Sequence, residues 1–142
     1  MARDQLEMLL RLRKLAVQDR MRELALAMRI EDEAGRTQAA TVQTLAQETA
    51  KARSMAESDA ALAGFVPWRA RATQAVRDAD AQLRFAGEAN RSAQAMLGEA
   101  RGAVRAMELA IERRNAATEL GVQRSTQHAL DDATRRSGGG DR

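Results

Sequence analysis

Cysteine is absent from the 142 residues, proline, tryptophan and histidine occur once each, tyrosine is missing, and aromatic residues amount to 2%. Without cysteine, no disulfide framework and no thiolate metal site is available, as expected of a reducing compartment. With His128 the only histidine, the usual ligands for zinc, copper and haem are lacking, and no metal or cofactor is expected. So few aromatic side chains exclude a thick, round core. No apolar run approaches 18 residues, and the opening MARDQLEMLL sets Asp4 and Glu7 where a signal peptide would be basic and then apolar. A soluble cytoplasmic chain is the expectation. The glycines form neither GxGxxG nor GxxxxGK[ST], which removes the usual phosphate cradles. Paired carboxylates such as Asp131 and Asp132, or Glu31, Asp32 and Glu33, read as helix-surface acids with no pocket to tune them. Catalysis by this chain alone is not expected.

What remains is a composition of long helices. Charged residues make up 30% of the chain and apolar residues 44%, with alanine alone about a fifth. The net charge is only +3, carried by 21 arginines and by Lys14 and Lys51 against 20 acids. Such interleaved charge, with so few aromatics, disfavours nucleic acid, where affinity needs concentrated phosphate contacts. An Ala-rich, narrow apolar stripe likewise disfavours insertion at a membrane surface.

The pattern predicts an all-α fold: one antiparallel coiled-coil hairpin of two long helices, the second longer. Helix 1 is expected over about 3–62, a bend at 63–66, helix 2 over 67–136, and a flexible tail at 137–142. Steps of four and three from Val17 pass through Met21, Leu24, Met28, Glu31, Gly35, Gln38, Val42, Leu45, Thr49 and Ala52. The same steps from Ala72 pass through Val76, Ala79, Leu83, Ala86, Asn90, Ala93, Leu97, Ala100, Val104, Met107 and Ile111. A bend centred on Gly64 opposes residue i to residue 128 − i. That register sets Val17 against Ile111, Leu24 against Val104 and Leu45 against Leu83, and it matches the amides of Gln38 and Asn90. Alanine on helix 2 permits close approach of the backbones, and the polar centre is expected to be the weakest part.

The stretch ALAGFVPWRA holds two of the three aromatic residues and the only proline. Gly64 is suited to ending a helix and Pro67 to starting one. Phe65 reads as a plug of the seam and Trp68 as a docking group. Near the other end, Arg11, Arg13, Lys14, Arg113 and Arg114 fall within a turn of one another in this register, forming either snorkelling seam residues or an electropositive collar for an acidic protein surface. Leu6, Leu9, Leu10, Leu120 and Val122 make an apolar cluster beyond it. The last turns of helix 2, STQHALDDATRR, overhang any partner.

One segment carries a resemblance. EARGAVRAMELAIERRNAATELGVQRSTQHALDDATRR is similar to the C-terminal pattern of the flagellar type III export protein FliJ family and its injectisome counterparts of the YscO type. The matching residues are Glu112, Arg113, Glu119, Arg124, Gln127, Leu130, Asp131, Asp132 and Ala133, supported by the leucine-rich start LEMLLRLRKLAV, the length, and an aromatic just past the bend. The resemblance implies a non-enzymatic central stalk of the export apparatus, at the cytoplasmic side of the inner membrane. Its termini would enter the hexameric ring of a FliI-like export ATPase, with Arg11, Arg13, Lys14, Arg113 and Arg114 facing the ring. It implies contact with the cytoplasmic region of a FlhA-like export gate through Trp68, followed by Ala72, Ala75 and Val76, and handling of export chaperones. An unrelated cytoplasmic coiled-coil scaffold or adaptor is the alternative, and it predicts self-association through the overhang.

Overall fold

The computed structural model describes residues 2–55 and 59–139. Two long helices, α1 (Ala2–Ser54) and α2 (Asp59–Gly138), pack against each other as an all-α antiparallel hairpin, with α2 the longer. The described residues contain no strand.

The bend falls earlier than expected. α1 ends at Ser54, whose hydroxyl donates to the Lys51 carbonyl at 2.7 Å, while the Met55 amide reaches the Lys51 and Ala52 carbonyls at 3.1 and 3.3 Å. Residues 63–66, the expected bend, are helical, Gly64 has no positive φ, and Pro67 lies inside α2. Gly64 and Pro67 are therefore not bend residues. The three-and-four spacing through Ala72 and Val76 runs back to Trp68 and Phe65, all half-buried, so packing carries the helix through the proline. The cost is the lost amide at Pro67, which leaves the Ala63 carbonyl without its helical donor, about 3 kcal/mol in a helix interior. α2 also extends two residues further than expected, so Ser137 and Gly138 are helical. Residues 140–142 of the expected tail lie outside the described residues.

The chain divides into two compact units, residues 16–99 and residues 1–15 with 100–142. In the first, three side chains among the described residues are buried, Ala79, Ala86 and Leu97, all on α2. The α2 seam follows the expected spacing from Ala72 to Leu97. On α1, Val17, Leu24, Glu31, Gln38, Leu45 and Ala52 are half-buried as expected. Of the residues between them, Gly35 and Thr49 are half-buried as expected, whereas Met21, Met28 and Val42 are 48%, 49% and 41% exposed and Arg20, Ala27, Ala34, Thr41 and Glu48 are half-buried instead. Small groups such as Ala34, which shares a groove with Ala86, bring the backbones close, and the thioethers stay on the flank.

The register is shorter by about ten residues than the sequence suggested, roughly 15 Å along a helix. A methyl group on Gly35 would stand 3.8 Å from Leu83 Cδ1, so Leu83 faces Gly35 and not Leu45. The amides do not meet each other. Gln38 Nε2 donates to Asp80 Oδ1 at 3.0 Å, Asn90 Nδ2 donates to Glu31 Oε2, and Gln94 Nε2 donates to Asn90 Oδ1 at 3.2 Å. Each polar interruption thus finds a carboxylate partner, a stronger arrangement than two neutral amides. No buried side-chain polar atom among the described residues is left without a partner.

In the second unit, Leu6 and Leu10 are half-buried on α1, and on α2 the half-buried positions run from Ala100 to Ile111. Every described residue from Glu112 to Gly139 is exposed. The uncovered part of α2 therefore begins about a dozen residues before the expected overhang.

Candidate functional site

Phe65 and Trp68 are three residues apart on α2 and stack on each other, with ring centroids 5.6 Å apart and planes 27° from parallel. This geometry suits offset aromatic attraction. Both rings are half-buried, and with Ala52 of α1 and Met55 just after it they line a cleft of about 380 Å³. Glu48, Lys51 and Arg71 form its polar rim, with Lys51 Nζ held 3.1 Å from Glu48 Oε1. Trp68 is thus a wall of a groove between the helices, well inside α2 and not at its start. The remaining residues of the expected gate surface do not share its setting. Ala72 and Val76 are half-buried in the seam, and Ala75 is exposed. Alanine and valine at seam positions are accounted for by packing against α1.

Sequence reasoning missed the side of this cleft that faces the rings, Lys51, Ala52 and Met55, because it placed them more than a turn from the bend's aromatic residues. The signal that finds them is the phase of α2, which puts Phe65 and Trp68 on the face that α1 covers.

The five cations assigned to a ring-facing collar all belong to the unit of residues 1–15 and 100–142, and all are exposed. Among the described residues none of them takes part in an ion pair. The opposition of Lys14 to Arg114 depended on the longer register and falls with it. Arg11, Arg13 and Lys14 follow the half-buried Leu10 on α1, whereas Arg113 and Arg114 lie beyond Ile111, the last half-buried residue of α2. The expected apolar cluster also separates. Leu6 and Leu10 are half-buried and Leu9 is 44% exposed, but Leu120 and Val122 stand at 53% and 60% on the uncovered helix.

That uncovered stretch, from Glu112 to Gly138, is about 40 Å of single helix. It contains all nine of the residues that carry the resemblance at the C-terminal end. Its side chains bond mainly to itself: the hydroxyls of Thr118, Thr126 and Thr134 donate to carbonyls one turn back, at 3.0, 3.0 and 2.8 Å, and Gln127 Nε2 donates to Asp131 Oδ1 at 3.2 Å.

Among the described residues, no group of three or more His, Cys, Asp or Glu side chains is placed to hold a metal ion, and no helix is long and apolar enough to cross a membrane. No family model, no curated protein and no solved structure matches the chain.

Proposed function

We propose that the chain is a non-enzymatic stalk or coupling component of a bacterial type III protein export apparatus, of the flagellar kind, which promotes assembly of the export ATPase ring and links it to the export gate. The observation that carries this reading is the exposure of α2 from Glu112 onward. The nine residues from Glu112 to Ala133 that carry the C-terminal resemblance are all exposed, so they are available to a partner. An isolated helix of this length is marginal in water, because most helical stability in proteins comes from burying a face. A ring that encloses it supplies that burial. Arg113 and Arg114 at the start of this stretch, with Arg11, Arg13 and Lys14 on α1, offer cations to the acidic lining of such a ring. Trp68 remains the proposed gate contact, through the groove it walls. Ala72 and Val76 position it from the seam.

The test is co-purification with the cognate export ATPase and with the cytoplasmic region of the gate, together with ATP turnover. The full chain should bind both and raise turnover. Arg113→Glu combined with Arg114→Glu should abolish the stimulation without changing helical content, since both positions are exposed. Capture of neither partner, with self-association through residues 112–138 instead, refutes the proposal in favour of an unrelated scaffold.

A further inference from the structure

The cleft beside Trp68 has a chemistry of its own. Its floor and walls are apolar, made by Phe65, Trp68, Ala52 and Met55, and cations stand on its rim. Lys51 is engaged by Glu48, but Arg71 is exposed and enters no ion pair among the described residues. Across Phe65 a second surface groove, lined by Val66, Thr73 and Gln74, carries Arg69 and Arg77. Val66 is 67% exposed there. The residues lining the two grooves include four cations, Lys51, Arg69, Arg71 and Arg77, and one acid, Glu48. An excess of cations thus surrounds the stacked rings of Phe65 and Trp68.

From this coincidence we infer that the Phe65–Trp68 cleft is a docking site for an acidic peptide segment with an aliphatic anchor. The anchor enters the cleft against the stacked rings, and flanking carboxylates meet Arg71, with Arg69 and Arg77 engaging the chain as it crosses Phe65. A guanidinium forms bidentate bonds to a carboxylate, which gives Arg71 directional as well as electrostatic recognition. A volume of about 380 Å³ accommodates one or two aliphatic side chains and not an extended apolar face. The rings are half-buried walls, a shape that fits an inserted side chain better than a lipid surface. The inference rests on the reading that Trp68 meets a partner, and not on that partner being an export gate.

Trp68 is the only tryptophan, so its emission reports the cleft directly. The probes are three synthetic peptides, each with two central leucines flanked by Asp and Glu, by Asn and Gln, or by Lys, and vesicles of phosphatidylcholine with phosphatidylserine. The full chain should show a saturable change in Trp68 emission with the acidic peptide alone. Affinity should fall severalfold as salt rises from about 0.05 to about 0.5 M. It should weaken roughly tenfold in Arg71→Gln and recover in part in Arg71→Lys, both with unchanged circular dichroism. Equal binding of the acidic and amide peptides, no response to any peptide, or a response to vesicles without one to the acidic peptide each overturns the inference, the last assigning the surface to lipid. Peptide binding without capture of the gate would refute the gate contact alone. Gate capture without peptide binding would refute this inference alone.

Discussion

Replacing Pro67 by alanine should make the protein more stable. Pro67 lies within α2, eight residues after Asp59, and its ring removes one helical hydrogen bond and crowds the Ala63 carbonyl. Proline is about 3 kcal/mol less favourable than alanine at such a position. Against this stands the stiffness proline gives the unfolded chain, about 0.4–1 kcal/mol. Pro67 is exposed and does not line the aromatic cleft, so little packing is lost. The net gain expected is about 2 kcal/mol, to be read from urea unfolding with the slope checked for constancy. In a chain of this size that corresponds to a rise in Tm of roughly 6 °C. The measurement also discriminates between two placements of the bend. A proline in the first turn of a helix forfeits no bond, and its replacement would leave stability unchanged or slightly lower. Pro67→Ala stability at or below the parent would therefore refute the continuous α2 and return the bend to residues 63–66.

Gly98→Ala and Gly102→Ala should each stabilise by about 0.5–1 kcal/mol, since a methyl group at either meets nothing within 4 Å. Gly87→Ala should gain less, because its methyl group would stand 3.3 Å from Glu31 Oε1 and displace the carboxylate that Asn90 holds; thermal melts of the three variants rank them. Ala86→Leu, at 4% exposure, should destabilise by about 1–3 kcal/mol through overpacking. Cysteines at 35 and 83 should form an intramolecular disulfide on oxidation, whereas cysteines at 45 and 83, separated by about 15 Å along the helices, should not; mobility on non-reducing gels decides this.

The seam of α2 was legible in the sequence residue by residue because its alanines and leucines hold one heptad phase with few competing apolar residues nearby. α1 was harder. Met21, Met28 and Val42 offer a stripe as apolar as the one that Arg20, Ala27, Ala34 and Thr41 make, and hydrophobicity alone selects the larger side chains. Close packing selects the smaller, because the buried α2 positions are themselves mostly alanine and the gain comes from approach of the backbones. The bend was misplaced because Gly64 and Pro67 are local punctuation, and a favourable face through Phe65 and Trp68 overrides local preference. The ten-residue offset then propagated to every cross-helix pairing. The cleft inherits the same lesson: its aromatic half stood out by composition, while Lys51 and Met55 became visible only once the register was known.

The uncovered length of α2 has a thermodynamic consequence. A segment whose every residue is exposed shares little of the cooperativity of the packed chain, and its helix–coil balance is set largely by its own weak preferences. Any partner that clasps residues 112–138 must therefore supply the conformational entropy of fixing them, typically about 2–5 kcal/mol for a segment ordered on binding. Affinity is reduced by that amount, while release remains fast and the contact stays reversible. Amide hydrogens of this stretch should exchange early in the free protein and late in the complex, which makes its protection a direct measure of how completely a partner encloses it.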